Sequence, residues 1–367
     1  MNEGRKRKRT MDYWLLLTIM GLTIFGIVSI FSASMYNSGI SGSPFSYFTK
    51  QLIFAIIGTI LMITISNIDY RKTKHFAPIV MIGVIIMLVL VLFIGTNVNG
   101  AKRWIRIGSL GTIQPSEFTK IALILFLAYY IERKKELIRS FRYGILPVIG
   151  LALIVCGLIA LEPNLSTATI IGALIVGMLI IGGMNLKYFI PVVIAGVGGI
   201  VFMIISTPWR LTRMLTFLDP WADIKGAGWQ ICQSLMALGS GGLLGRGFGQ
   251  GKAKLLFMPE PQNDFIFAHI GEEMGLIFGI ILIAVYLFLI WRCVIIALNA
   301  PDSFSMLFCG GMAGLLGLQV FINIGVATAL IPVTGMPLPF VSAGASSLIS
   351  LMCGMGVVLN ISKHCNI

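Results

Sequence analysis

The chain alternates long apolar runs with short polar breaks. Apolar runs recur near 12–34, 47–67, 76–96, 115–131, 145–161, 166–183, 189–206, 265–291, 304–330 and 344–361. A run of roughly 17–25 such residues spans the ~30 Å hydrocarbon layer as a helix. The pattern predicts an all-α polytopic membrane protein with about ten transmembrane helices, because a helix satisfies its own backbone groups in lipid. The first run follows "MNEGRKRKRT". A secretory leader has the same positive-then-apolar order, but this run is about 20 residues long with no clear cleavage site, so an uncleaved first span is expected.

Three polar breaks differ from the rest. The first is "NVNGAKRWIRIGSLGTIQPSEFTK" (97–120), the second is the long stretch 207–264, and the third is "LIPVTGMPLPFVSAGASSL" (330–348). Pro332, Pro337 and Pro339 forbid a continuous helix in the third. Broken backbone at membrane depth is tolerated only against protein or a watery cavity. The expected organisation is a basic cytoplasmic tail (1–11), one transmembrane domain (12–364) and a short cytoplasmic C-terminus (365–367). The stretch 207–264 forms a large extracytoplasmic loop between spans seven and eight.

Composition supports the class: 57% of residues are hydrophobic and 11% charged. The net charge of +13 fits anionic membrane lipids better than nucleic acid, since the basic residues sit in short loops. Basic residues also set the orientation. Arg5 to Arg9, Arg71, Lys72, Lys74, Arg133, Lys134, Lys135, Arg139 and Arg142 share one side. That excess places both termini in the cytoplasm of a plasma-membrane protein. Lys102, Arg103, Arg106, Arg210, Arg213 and Arg246 then fall outside, where the topology rule disfavours them. The six cysteines and three histidines are scattered, so neither a disulfide framework nor a zinc cluster is supported.

Charges inside or beside spans carry the candidate chemistry. Glu117 and Lys120 are three apart and so are neighbours on one helix face. Intramembrane ionisable residues cost about 2.5–3.5 kcal/mol each and mark sites or pathways; an ion pair that only fixes packing is the alternative. Asp264, in "PEPQNDFIFAHIGEE" (259–273), reads equally as a helix N-cap or as a reactive carboxylate. Glu272 lies about 80° round from it and ~12 Å deeper, which puts it on the same side; Glu273 points roughly opposite. His269 reads as structural. The outer arginines suit phosphate or pyrophosphate, with headgroup contact as the plain alternative. "GSGGLLGRGFGQGKAK" (239–254) fails the phosphate-loop pattern, because Arg246 and Ala253 stand where Gly and Ser or Thr are needed. Its glycines read as tight turns in a loop lying on the membrane.

The motifs "NGAKRWI", "IQPSEFTK", "WRLTRMLTFLDPWAD", "GWQICQSLMALGSGGLLGRGFGQG", "PEPQNDFIFAHIGEE" and "PVTGMPLPFVSAGASSL" together resemble the SEDS family (shape, elongation, division and sporulation). They occur in the family's order from first span to last, and look most like the FtsW/SpoVE branch rather than RodA. The resemblance implies a membrane glycosyltransferase that polymerises lipid II into peptidoglycan strands for cell division or spore cortex. It implies a class B penicillin-binding protein as transpeptidase partner. It implies Asp264 as the catalytic Asp, with general base as its role, Glu117 and Lys120 as a cavity pair, and Arg103, Arg210 and Arg213 as basic cavity positions. Ser342 lies in the family's proline-rich outer segment. The resemblance requires no cofactor but admits a divalent cation, Mg or Mn, for which no ligand set is evident. Two stretches depart from the pattern. "EPNLST" puts Asn164 and Ser166 where Asp and Gly are usual in a "QPDxGT"-like run, and "PFVSAGASS" has Ala343 and Ala345. A lipid II flippase and a non-catalytic scaffold for a transpeptidase are the rival functions.

Overall fold

The computed structural model describes residues 10–40, 45–98, 101–108, 111–252 and 262–365. The basic tail through residue 9 and the motif residues 259–261 lie outside the described residues. Ten helices stand where the ten apolar runs were expected: α1 (Tyr13–Ile40), α2 (Ser46–Ser66), α3 (Tyr70–Ile94), α4 (Pro115–Lys134), α5 (Leu146–Leu161), α6 (Leu165–Ile181), α7 (Leu186–Ile205), α10 (Ile266–Leu298), α11 (Ser303–Ala327) and α12 (Ala345–Ser362). Between α7 and α10 the long loop folds into α8 (Pro208–Leu218) and α9 (Trp229–Gly241). By length and composition, eight helices among the described residues can cross a membrane. Of the other two, α6 is apolar but shorter, and α4 carries Glu117 and Lys120.

One addition corrects a purely helical picture. Between α3 and α4 the chain forms a small antiparallel sheet of β1 (Thr96–Val98), β2 (Ala101–Ile107) and β3 (Gly111–Ile113). Trp104 faces Thr96, and Ile105 faces Ile113. The strands hold Arg103 above the helix ends instead of leaving it on an open loop.

Because successive helices reverse direction, the molecule has two ends. At the terminal end, Asn360 receives the Tyr70 N–H at 2.9 Å and donates to the Ser66 carbonyl at 2.8 Å. Arg292 pairs there with Asp12, its Nε at 3.0 Å. The sheet, α8, α9 and the proline-rich segment gather at the other end, the loop end. The core is built where α4, α6, α11 and α12 meet, with Leu123, Ile124, Leu316, Met352 and Met355 fully buried. No residue of α7 is buried. Its outward Ile190, Ile194 and Phe202 suit a hydrocarbon solvent and would not suit water.

Two irregular segments enter the bundle from the loop end. The first follows α9. Helix α10 is broken at Gly275 (φ 80, ψ 178), and residues 242–247 are inserted at the break. Leu276 and Ile277 donate to the carbonyls of Gly242 and Leu243 at 2.9 and 3.2 Å, while Arg246 and Gly247 donate to Glu272 and Glu273 carbonyls at 3.1 and 3.0 Å. The loop therefore supplies hydrogen bonds that the broken helix cannot make for itself. A side chain at Gly245 would place Cβ 2.2 Å from the Glu273 carbonyl oxygen. The glycine-rich stretch is thus fitted into a helix break and does not lie on the membrane surface as the sequence suggested.

The second irregular segment is the proline-rich 331–344. Its Phe340 and Val341 backbone packs against Gly26, midway along α1; a Cβ there would fall 2.6 Å from the Phe340 carbonyl. Tyr286 anchors it by donating to Pro339 O at 2.6 Å. This is the protein-backed broken backbone that the prolines predicted.

Candidate active site

Asp264 sits one residue ahead of α10. The N-cap position is Phe265, so neither Asn263 nor Asp264 occupies it. The backbone of Asp264 is held from α11. Asn323, buried on α11, donates one Nδ2 to both the Asp264 carbonyl (2.9 Å) and the Met336 carbonyl (2.7 Å). Ser342 donates to the Asn263 carbonyl at 2.6 Å and accepts from Leu338 N–H at 2.8 Å. Ala343 N–H reaches the Gln262 carbonyl at 2.9 Å. The proline-rich segment and α11 thus hold residues 262–264 as a rigid platform. A Cβ at Gly335 would stand 3.4 Å from Asp264 Oδ2, which places the carboxylate over that glycine, half-buried.

The basic residues converge on this carboxylate. Arg103 donates Nε to the Glu162 carbonyl at 2.9 Å and Nη2 to the Pro163 carbonyl. These neutral acceptors orient the guanidinium without neutralising it. Burial lowers its pKa from the ordinary value; the Glu162 and Asp264 carboxyls pull it up, and Arg213 and Arg210 push it down. Arg213 is also lowered by desolvation and drawn up by Asp264. Arg210 and Arg213 stack on the same Trp209 ring, each 5.3 Å from its centre; Arg213 lies one helical turn from Trp209 on the short helix α8. Arg210 also reaches the Met203 carbonyl at 3.2 Å. Three guanidinium groups and Asp264 therefore share one electrostatic neighbourhood, which is what an anionic group leaving near a general base would need.

Glu117 and Lys120 form a buried ion pair on the first turns of α4, with Lys120 Nζ 2.9 and 2.8 Å from the two carboxylate oxygens. Pro115 starts the helix and leaves its first turn open to the loop end. The pair adjoins the Arg103 cluster through Ser116, which receives a 3.5 Å bond from Asn164. Asn164 in turn caps α6 by accepting from Thr167 N–H at 3.4 Å.

Glu272 contacts the inserted loop. It accepts from Lys252 N–H at 2.8 Å and faces Arg246 at 3.8 Å, so its carboxylate holds the inserted loop. Glu273 accepts from the Ser32 hydroxyl at 2.8 Å and from Gly251 N–H at 3.3 Å, with His269 at 3.5 Å. Helix periodicity put Glu272 on the cavity side but could not foresee a loop entering there.

One residue was missed. Glu162, at the end of α5, is fully buried. Neither carboxyl oxygen has a hydrogen-bond partner among the described residues. Burial pushes its pKa up to about 8, with Arg103 pulling the other way. The sequence signal was the charge closing an otherwise uncharged apolar run, overlooked in favour of Asn164. As for a metal, no group of three or more His, Cys, Asp or Glu side chains among the described residues could hold one.

Comparison with known proteins gives a consistent answer. The sequence profile of FTSW_RODA_SPOVE, described as cell cycle protein, matches residues 13–367. Stage V sporulation protein E of Bacillus subtilis is 39% identical over 361 residues, covering 98% of each chain. A probable peptidoglycan glycosyltransferase FtsW of Geobacter metallireducens is 38% identical over 356 residues, covering 96% of this chain and 95% of that one. Among solved structures, a chain of a peptidoglycan synthase complex that coordinates polymerization and crosslinking superposes with a TM-score of 0.79 at 28% identity. It covers 97% of this chain and 98% of its own. The rod shape determining protein RodA of Thermus thermophilus superposes with a TM-score of 0.73 at 25% identity, covering 98% of both chains.

Proposed function

The chain belongs to the FtsW/RodA/SpoVE family of multi-pass membrane proteins, and from that premise we propose that it is a peptidoglycan glycosyltransferase polymerising lipid II, with Asp264 as general base. The loop end faces the outside of the bacterial plasma membrane, and both termini face the cytoplasm. The observation that carries the reading is the placement of Asp264, its backbone pinned by Asn323 and Ser342, in the field of Arg103, Arg210 and Arg213.

The chemistry follows from that placement. The 4-hydroxyl of the GlcNAc unit of one lipid II molecule attacks the anomeric carbon of MurNAc in another. Asp264 accepts the hydroxyl proton as the new C–O bond forms. The bond to undecaprenyl pyrophosphate breaks on the opposite side, with inversion, and its electron pair goes to the pyrophosphate. Arg103, Arg210 and Arg213 meet the negative charge as it develops. Both substrates carry lipid tails, which explains a site built on membrane helices. Glu117 and Lys120 bind at the cavity wall, Lys120 supplying a further cation oriented by Glu117. Ser342 acts through the Asn263 backbone, and Glu272 acts through the inserted loop. A class B penicillin-binding protein receives the growing strand as transpeptidase partner.

The test is polymerisation of purified lipid II by the full chain with its transpeptidase partner. The wild type should extend glycan strands, and Asp264→Asn should lose nearly all activity while remaining folded. An Asp264→Asn protein that polymerises at the wild-type rate removes the base assignment. A wild type that moves lipid II across vesicles without joining it points to a flippase; assembly with the partner but no product points to a scaffold.

A further inference from the structure

Glu162 has no part in the chemistry above, yet its backbone and its carboxyl treat Arg103 in opposite ways. The carbonyl of Glu162 accepts from Arg103 Nε, and that of Pro163 accepts from Nη2. The carboxyl belonging to the same residue is buried and makes no hydrogen bond among the described residues. A carboxylate this close to a guanidinium would ordinarily take it as a bidentate partner. Here the guanidinium is instead held by neutral oxygens, so its charge stays available.

The charged groups around Glu162 are few. Arg103 comes from β2, Arg210 and Arg213 from α8, and Asp264 from the turn before α10; all four act on the Arg103 guanidinium or on one another. Of these, Arg103 alone bears on Glu162 itself. On the α4 side, Asn164 and Ser116 intervene before the Glu117–Lys120 pair.

We propose that Glu162 is a positioning residue whose proton sets the anion affinity of the Arg103 cluster: as a neutral acid it leaves the guanidinium charge for a lipid diphosphate, and as a carboxylate it takes that charge for itself. The inference rests on the reading that this cluster receives the diphosphate end of the substrate. Burial favours the neutral form near pH 7. A bound diphosphate favours it further, because like charges repel. Above the titration of Glu162, binding therefore requires uptake of one proton.

The experiment measures binding of geranylgeranyl diphosphate to the full chain in detergent micelles, by calorimetry, from about pH 7 to about pH 9.5. The second phosphate ionisation, near pH 6, is complete throughout that range. Wild-type affinity should hold to about pH 8 and then fall by up to about tenfold per pH unit. Glu162→Gln keeps a neutral side chain of the same shape, so its affinity should not vary with pH over the same range. An alkaline fall shared by Glu162→Gln, or a wild type without one, overturns the proposal. A wild type that binds no diphosphate even at pH 7 overturns the anion-site reading, and the proposal falls with it. Should Glu162→Gln not fold, infrared difference spectra of the wild type decide. A protonated carboxyl C=O band must disappear between about pH 7 and 9; its absence at pH 7 sinks the proposal.

Discussion

Replacing Lys120 by Met leaves Glu117 as an unpaired carboxylate in a site where both partners are nearly inaccessible, 4% exposed for Glu117 and 1% for Lys120. The Nζ lies 2.8 Å from Oε2. At an effective dielectric of about 20 that separation corresponds to roughly 6 kcal/mol of attraction. Desolvation of both ions offsets most of it, so the intact pair is close to neutral against an apolar replacement. Breaking it is different: one buried charge without its partner costs about 3–5 kcal/mol. Lys120→Met and Glu117→Gln should each destabilise by that order, while the double variant Glu117→Gln/Lys120→Met should recover most of the loss. The assay is a double-mutant cycle on unfolding in detergent, run beside lipid II polymerisation. If the pair belongs to the site, the double variant is folded and inactive. A double variant that is both stable and fully active shows that the pair serves packing alone. A stable Lys120→Met single variant would refute the burial argument itself.

Other outcomes follow from neighbouring contacts. Asn323→Leu leaves the Asp264 and Met336 carbonyls unpaired. It should cost about 1–3 kcal/mol for each unpaired carbonyl and reduce polymerisation by on the order of 10²-fold as Asp264 shifts, measured by thermal unfolding and strand assay. Gly245→Ala puts a Cβ into the Glu273 carbonyl at a φ of +81; it should destabilise by well over about 1 kcal/mol and expose the 242–252 segment to protease. Glu162 makes native stability pH-dependent. Its carboxyl titrates near 8 when folded against an ordinary 4.5, so between those values the native state holds a proton that the unfolded chain has lost. Stability should fall as pH rises through that window, by up to roughly 1.4 kcal/mol per pH unit, and Glu162→Gln should flatten the curve in chemical denaturation.

The apolar runs were enough to locate all ten long helices, because each must satisfy its own backbone in lipid and each needs a fixed length. Pro332, Pro337 and Pro339 were enough to mark one irregular segment, since no helix tolerates them so close together. The sheet was less visible. Its strands are three to seven residues long, and the sequence signal is the Asn99-Gly100 pair, a common hairpin dipeptide. The insertion of residues 242–247 into α10 could not be read at all. It joins segments about thirty residues apart, and local pattern carries no information about which backbone closes a helix break. Asp264 was ambiguous for the same reason: an acid before an apolar helix looks the same whether it caps or faces a cavity. The structure puts Phe265 in the cap position itself.

The inserted segments also explain why so many acids beside the spans turn out to be structural. Irregular backbone inside a membrane needs side chains to complete its hydrogen bonds. Glu272 and Glu273 do this for the 242–252 segment, as Tyr286, Asn323 and Ser342 do for the proline-rich one. At the terminal end, Asp12 pairs with Arg292, Glu132 with Lys74, and Asp69 and Asp302 cap α3 and α11. Asp223 binds the Ala227 N–H within the loop. Among the described acids with roles fixed in this way, none has a carboxylate directed at the arginine cluster. Among the described residues, Asp264, Glu162 and the paired Glu117 lie in or beside that cluster. Asp264 is half-buried, whereas Glu162 and Glu117 are buried. The proposed reaction needs a base next to concentrated positive charge, and Asp264 stands in the field of Arg103 and Arg213 with its backbone held by Asn323.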